Sequence, residues 1–246
     1  MATMTDSEST LSRVCAHGIV PVVVLDQAEQ APGLAQALID GGLPVAEVTF
    51  RTAAAPAAIA ALAARGDLTV GAGTVLTPQQ VDQAAQAGAQ FIVSPGLSQA
   101  VVARCGELGL LCLPGAITPT EVQAGLELGL STLKFFPAAS AGGPAALAAL
   151  GGPFRQVTFV PTGGVGLANL ADYLALPNVA AVGGSWMVPR AALAAGDFDR
   201  VRQLTAEAVQ AAASLLGRKS AAADQANPAP GCHAEPPAQD TRRELT

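Results

Sequence analysis

Of the thirteen cationic side chains in this sequence, eleven are arginine and only two, Lys134 and Lys219, are lysine. Lys219 stands in a polar stretch near the C-terminus, whereas Lys134 lies in the apolar run Ser131-Thr132-Leu133-Lys134-Phe135-Phe136-Pro137. A chain that uses guanidinium groups almost everywhere else has a chemical reason to keep an amine here. An amine can shed its proton and attack a carbonyl carbon; a guanidinium effectively cannot. Apolar neighbours favour the neutral, nucleophilic form of an amine. Condensed with a ketone, it becomes an iminium that accepts the electrons of an adjacent breaking C–C bond. Such chemistry also needs a group to move protons. Glu47, in Val45-Ala46-Glu47-Val48-Thr49-Phe50, is the one acidic residue embedded in a comparable run. Side chains alternate faces along a strand, so both residues can point inward and compensate one another's charge. The same pair could instead be a structural ion pair filling one layer of a core. Pattern alone leaves both readings open.

Anion-binding groups recur where the β-branched runs end. Arg51 follows Glu47 by four residues, and its planar fork suits a carboxylate, although a solvated loop arginine fits the pattern too. Thr74, after Gly71-Ala72-Gly73, could place a hydroxyl on the same carboxylate. Thr162-Gly163-Gly164 and Gly183-Gly184-Ser185 end two later runs. Glycine there lets backbone N–H groups approach a phosphate closely, though single turn glycines need no such role. Serine–histidine catalysis and a histidine-bound metal both lack a histidine near any strand end, because His17 and His233 lie outside the probable barrel. Dinucleotide binding lacks its glycine fingerprint after the first run. No metal site is expected.

The runs and the spaces between them imply the scaffold. Short β-branched segments alternate with Ala- and Leu-rich helical stretches, the pattern of repeated βα units. Eight strands are predicted: 19–25, 45–50, 69–72, 91–93, 110–113, 132–136, 158–160 and 179–182. Helices are predicted over stretches such as 28–40, 78–87 and 98–108, with Gly41, Gly88, Gly109 and Gly129 closing helices in the left-handed conformation. Thr77-Pro78 and Thr118-Pro119 read as N-caps followed by a proline in the first turn. Eight such units close into a (β/α)8 TIM barrel more readily than into an open doubly wound sheet. A short helix over 7–16 would cap it, and the last helix spans about 199–216. Residues 1–217 thus form a single domain, and the Ala-, Pro- and charge-rich segment 218–246 reads as a disordered tail.

Composition narrows the partners. The formal charge of −6 argues against nucleic acid or an anionic membrane surface. No apolar run reaches the roughly 18 residues of a membrane span without Gly, Pro or charge, and residues 1–17 carry no secretory apolar region. Cys15, Cys105, Cys112 and Cys232 show no metal-binding or redox spacing, which suits reduced thiols in the cytoplasm. Cys105 and Cys112 read as core residues.

Taken in order, Glu47-Val48-Thr49-Phe50-Arg51-Thr52, Gly71-Ala72-Gly73-Thr74-Val75, Ser94-Pro95-Gly96, Lys134-Phe135-Phe136-Pro137-Ala138, Pro161-Thr162-Gly163-Gly164 and Gly183-Gly184-Ser185-Trp186 closely resemble the bacterial KDPG/KHG aldolases. These enzymes act on 2-dehydro-3-deoxy-6-phosphogluconate (KDPG) and 4-hydroxy-2-oxoglutarate (KHG). The resemblance runs from about Ser12 to Ala212. It implies a class I, Schiff-base aldolase on a (β/α)8 barrel, a homotrimer without metal or other cofactor, in Entner–Doudoroff sugar-acid breakdown. Lys134 would be the Schiff-base lysine and Glu47 the proton acceptor and donor. Arg51 and Thr74 would bind the pyruvyl carboxylate, with Pro95 and Phe136 lining the site. Thr162 would meet the aldehyde-derived part of the substrate, and Gly163, Gly164, Gly184 and Ser185 the phosphate. Pro114-Gly115-Ala116-Ile117 departs from the family's Pro-Gly-Ile. A phosphosugar isomerase or epimerase on the same barrel would keep the glycine turns and a base but need no imine-forming lysine. A non-catalytic sugar-phosphate binding protein would use Lys134 and Glu47 only as a buried pair. Activity of an aldolase of this kind is expected to survive chelator treatment; a loss restored by a divalent ion would point to metal-assisted chemistry instead.

Overall fold

The computed structural model of the chain describes residues 6–226. After α1 (Asp6–Cys15), strands and helices alternate in the predicted order. The strands are β1 (Ile19–Val23), β2 (Val45–Thr49), β3 (Thr69–Gly73), β4 (Phe91–Val93), β5 (Leu111–Leu113), β6 (Thr132–Phe135), β7 (Thr158–Pro161) and β8 (Val182–Gly184). Between them come α2 (Ala31–Asp40), α3 (Ala55–Ala63), α4 (Pro78–Gln86), α5 (Gln99–Glu107), α6 (Pro119–Glu127), α7 (Gly143–Gly151) and α8 (Leu170–Leu174). The chain then runs through α9 (Arg190–Ala195) and α10 (Phe198–Ala226).

All strand pairs are parallel, in a six-stranded sheet of order β5-β4-β3-β2-β1-β8 and a separate β6-β7 pair. From β5 to β1 the order is consecutive, without the reversal that marks a doubly wound sheet. Single bridges join the two sheets: Gly115 with Lys134 on one side, Phe159 with Val179 and Thr162 with Gly183 on the other. β1 to β4 and β6 are buried throughout, as parallel strands covered by helices on one side and packed against one another on the other must be. The helix predicted over 7–16 forms and packs against β1, β3 and β5, and its Val14 lines a small interior cavity together with Val20, Phe91, Val93, Leu113, Val160, Glu47, Lys134 and Thr162.

Three expectations are corrected. The predicted last strand over 179–182 is displaced toward the C-terminus. Of the strands, Val179 and Ala180 pair with β7 and not β1, through Ala180 N–H to the Phe159 carbonyl at 3.0 Å, and the ladder with β1 starts at Val182 opposite Ile19. At the end of α2, Gly41 keeps a right-handed conformation, and Gly42 (φ 81°) is the left-handed residue. Gly88, Gly109 and Gly129 behave as predicted. Finally, α10 passes through Gly217 and continues to Ala226, into the segment expected to be disordered. One glycine costs a helix only about 1 kcal/mol relative to alanine, and the following stretch is Ala-rich. The Lys219 ammonium also donates to the carbonyls of Leu176 and Val179 at 2.8 and 3.1 Å, tying this end of the helix to the loop after α8. Residues 227–246, with Cys232 and His233, lie outside the described residues.

Both predicted caps form. Thr77 accepts from the Gln80 N–H and Thr118 from the Glu121 N–H, each at 3.3 Å. Glu121 completes a capping box by accepting from the N–H groups of Ile117 and Thr118 at 2.9 Å. Partial burial opposes ionisation of Glu121, but these donors outweigh it and hold the carboxyl below its usual range. Its contribution to stability is therefore complete above the ordinary carboxylate range and is lost as pH falls through the lowered folded-state value. Thr118→Ala is expected to reduce stability by about 1 kcal/mol in denaturant unfolding, and an unchanged midpoint would show that the box contributes nothing.

Candidate active site

The two ionisable side chains singled out in the strands meet. Lys134 Nζ lies 3.4 Å from Glu47 Oε1, with the side chains 7% and 4% exposed. Each is placed by a different ladder. On β2, Glu47 is held between Val22 of β1 and Gly71 of β3. Lys134 is clamped between the segment that follows β5 and strand β7: its N–H donates to the Pro114 carbonyl at 2.9 Å, its carbonyl accepts from Ala116 N–H at 2.8 Å, and Val160 is its partner on β7. The altered Pro114-Gly115-Ala116-Ile117 segment is thus the one that grips the lysine backbone. The Phe136 ring centroid stands 5.2 Å from Lys134 Nζ, and Thr162 shares the enclosed space beside the pair.

Arg51 and Thr74, from the ends of β2 and β3, also come together, with Arg51 Nε donating to Thr74 Oγ1 at 3.3 Å. Thr74 adopts φ 58°, a left-handed conformation rare for a β-branched residue. Backbone of this kind collects at functional sites, and here it accompanies the bond to Arg51. Arg51 is exposed and Thr74 half-buried, so this polar pair lies outward of Lys134 and Glu47.

Across the opening, Gly163 (φ 98°) and Gly164 (φ 75°) follow β7 in conformations that require glycine. Gly163 also lies against Phe136: a Cβ there would stand 3.3 Å from the ring. Thr162 pairs with Gly183, bringing the turn after β7 beside Gly184 and the exposed Ser185. Pro95, half-buried at the end of β4, sends its carbonyl against Gly115, where a side chain would collide with it. The expected residues therefore gather at the C-terminal ends of the strands. A wider surface groove lies at the opposite ends, beside Leu110, Leu111, Ser131 and Thr132, and none of them lines it.

Sequence patterns missed Gly73 and Gly183, which make room: a Cβ at Gly183 would press on the Thr162 hydroxyl and side chain, and one at Gly73 on Glu47. At Gly184, already singled out for the phosphate, a Cβ would press on the Trp186 ring. The available signal was the run of paired glycines at strand ends. Among the described residues, no group of three or more His, Cys, Asp or Glu could hold a metal ion, and no helix is long and apolar enough to cross a membrane.

Fold and site together define a parallel α/β protein with a desolvated amine and carboxylate beneath an arginine and two glycine turns. The model of the KDPG and KHG aldolase family matches residues 11–204. The 2-dehydro-3-deoxy-phosphogluconate aldolase of Treponema pallidum is 51% identical over 193 residues, covering 78% of this chain and 92% of that protein. The KHG/KDPG aldolase of Escherichia coli is 47% identical, covering 85% and 97%. Among solved structures, the KDPG aldolase of Legionella pneumophila, with pyruvate captured at low pH as a covalent carbinolamine intermediate, superposes with a TM-score of 0.78 at 40% identity, covering 81% of this chain and 97% of that one. The Zymomonas mobilis 2-keto-3-deoxy-6-phosphogluconate aldolase with 3-phosphoglycerate gives 0.76 at 40% identity, covering 84% and 96%. This chain belongs to the KDPG and KHG aldolase family.

The burial of the pair has a measurable consequence that does not depend on catalysis. Lys134→Met leaves the Glu47 carboxylate without its partner and is expected to cost about 3 kcal/mol or more. The double variant Lys134→Met/Glu47→Gln should recover much of that loss in the same unfolding experiment. Equal stability of the single variant and wild type would show that the two charges do not compensate one another.

Proposed function

We propose that this protein is a class I aldolase that cleaves 2-dehydro-3-deoxy-6-phosphogluconate to pyruvate and glyceraldehyde 3-phosphate, and also 4-hydroxy-2-oxoglutarate to pyruvate and glyoxylate. The observation that carries the reading is the buried approach of Lys134 Nζ to Glu47 Oε1 at 3.4 Å, in a chain of this family. The carbinolamine in the Legionella relative supports the covalent step, and the 3-phosphoglycerate in the Zymomonas relative supports a phosphorylated substrate.

Lys134 passes a proton to Glu47 and attacks the C2 ketone as the free amine; the carbinolamine hydroxyl then takes that proton and leaves as water, giving an iminium and restoring the Glu47 carboxylate. Glu47 accepts the proton of the C4 hydroxyl. The C3–C4 bond breaks, its electrons pass into the iminium, and the aldehyde leaves a pyruvate enamine on Lys134. Glu47 returns its proton to C3, and water hydrolyses the resulting iminium to free pyruvate and the amine. Arg51 and Thr74 hold the carboxylate so that the C3–C4 bond can align with the iminium π-system, the kind of positioning that lowers a barrier by several kcal/mol. Pro95 and Phe136 form apolar walls, Thr162 meets the aldehyde-derived half, and Gly163, Gly164, Gly184 and Ser185 take the phosphate with backbone N–H groups and a hydroxyl.

We also read the two sheets as one closed (β/α)8 barrel, supported by the bridges Gly115–Lys134 and Thr162–Gly183 across its two gaps. Family membership supports a cytoplasmic homotrimer, checked by light scattering at about three times the chain mass. Pyruvate with borohydride should leave a stable adduct on Lys134, seen by mass spectrometry; its absence would rule out imine chemistry. Lys134→Arg should lose nearly all cleavage despite keeping its charge, and substantial turnover would contradict covalent catalysis. Glu47→Gln should still form the adduct while exchanging pyruvate methyl protons about 100-fold more slowly or worse. Unchanged exchange would remove Glu47 from the proton-transfer role.

A further inference from the structure

The central strand of the site, β3, is built as Thr69-Val70-Gly71-Ala72-Gly73, and both glycines are overlain by side chains from neighbouring strands. Phe91 of β4 lies across Gly71 from one side, and Glu47 of β2 lies across Gly73 from the other. A Cβ at Gly73 would stand 2.7 Å from Glu47 Cγ and 2.8 Å from Cδ, and nearer still to Oε1. Gly73 shows none of the positive φ values that demand glycine, so an alanine there meets no backbone strain. What glycine supplies at this position is room, and the group that takes up the room is the carboxylate beside Lys134.

We infer that Gly73 is a positioning residue for the aldol step: its missing side chain lets the Glu47 carboxylate lie across β3, within reach of the substrate carbon carried on Lys134. The inference rests on the Schiff-base reading above. Glu47 pairs in register with Gly71, not with Gly73, so its side chain must lean two residues along β3 toward the C-terminal edge to reach its observed place. That lean carries the carboxylate toward the end of the sheet where Arg51 and Thr74 stand. A methyl group at Gly73 would occupy the path. The displaced atoms run from Cγ outward on a flexible side chain, so a turn about the Glu47 Cα–Cβ bond can relieve the contact, but the carboxylate then cannot keep its position.

Gly73→Ala tests this. A carboxylate misplaced by about an ångström is expected to slow pyruvate methyl-proton exchange by about 100-fold, with retro-aldol turnover falling alongside. The borohydride-trapped adduct on Lys134 should form to the wild-type extent, because the amine itself is untouched. In a Glu47→Gln background, Gly73→Ala should produce no further loss of exchange, as expected of a residue that acts only through that carboxylate. Exchange at the wild-type rate would overturn the inference. So would a parallel fall of adduct and exchange, which would mark a general structural role, or a further, additive loss in the Glu47→Gln background. Failure of the wild-type protein to form the adduct would overturn the imine chemistry itself, and this inference with it.

Discussion

Two opposite charges taken out of water together constrain this molecule more than any other contact. Desolvating an ammonium or a carboxylate costs several kcal/mol each, and only a close partner offsets it. Lys134 and Glu47, both almost fully buried, stand 3.4 Å apart, so neither strand can shift without stranding a charge. A slip of one residue in β2 or β6 would turn its ionisable side chain to the opposite face. Hydrogen bonds reinforce both registers. The Thr49 hydroxyl donates to the Val23 carbonyl at 3.0 Å, beside Glu47, and the Pro114–Ala116 segment grips Lys134 on the far side.

A parallel sheet covered by helices and packed within has little free space, and a functional side chain must displace something to lie in it. Here the displaced groups are side chains that the chain omits. Glycines at 71, 73, 115 and 183 sit where Phe91, Glu47, the Pro95 carbonyl and Thr162 press against the backbone. Each such pair joins neighbouring strands, so the site is tied laterally across the sheet as well as along it. Alanine at Gly73, Gly115 or Gly183 would leave the hydrophobic pattern almost unchanged while pressing on Glu47, Pro95 or Thr162, each assigned to the site.

Stability and chemistry are divided between the two ends of the strands. At the N-terminal end, α1 packs against β1, β3 and β5, and its Val14 reaches the floor of the small cavity that Lys134 and Glu47 also line. At the C-terminal end stand Arg51, the left-handed Thr74 and the glycine turns after β7 and β8, where polar groups and unusual backbone conformations concentrate. A conformationally costly threonine next to an arginine is tolerable there because the packed sheet beneath supports it.

The sequence by itself determined which residue types could do the work and the elements that carry them. A lone lysine in an apolar run, a glutamate in another, caps at Thr77 and Thr118, and alternating strand and helix patterns are local signals. Patterns weakened where local preference competes with tertiary pairing. The last strand moved because Val182 to Gly184, not Val179 to Ala181, find a partner in β1. The last helix runs past Gly217 through an Ala-rich stretch, and Lys219 ties it there to the distant carbonyls of Leu176 and Val179. Only the tertiary structure decided that Lys134 faces Glu47, that Arg51 bonds Thr74, and that Gly73 lies beneath a carboxylate from another strand. Those facts depend on distances between segments far apart in the chain, which periodicity along one segment does not encode.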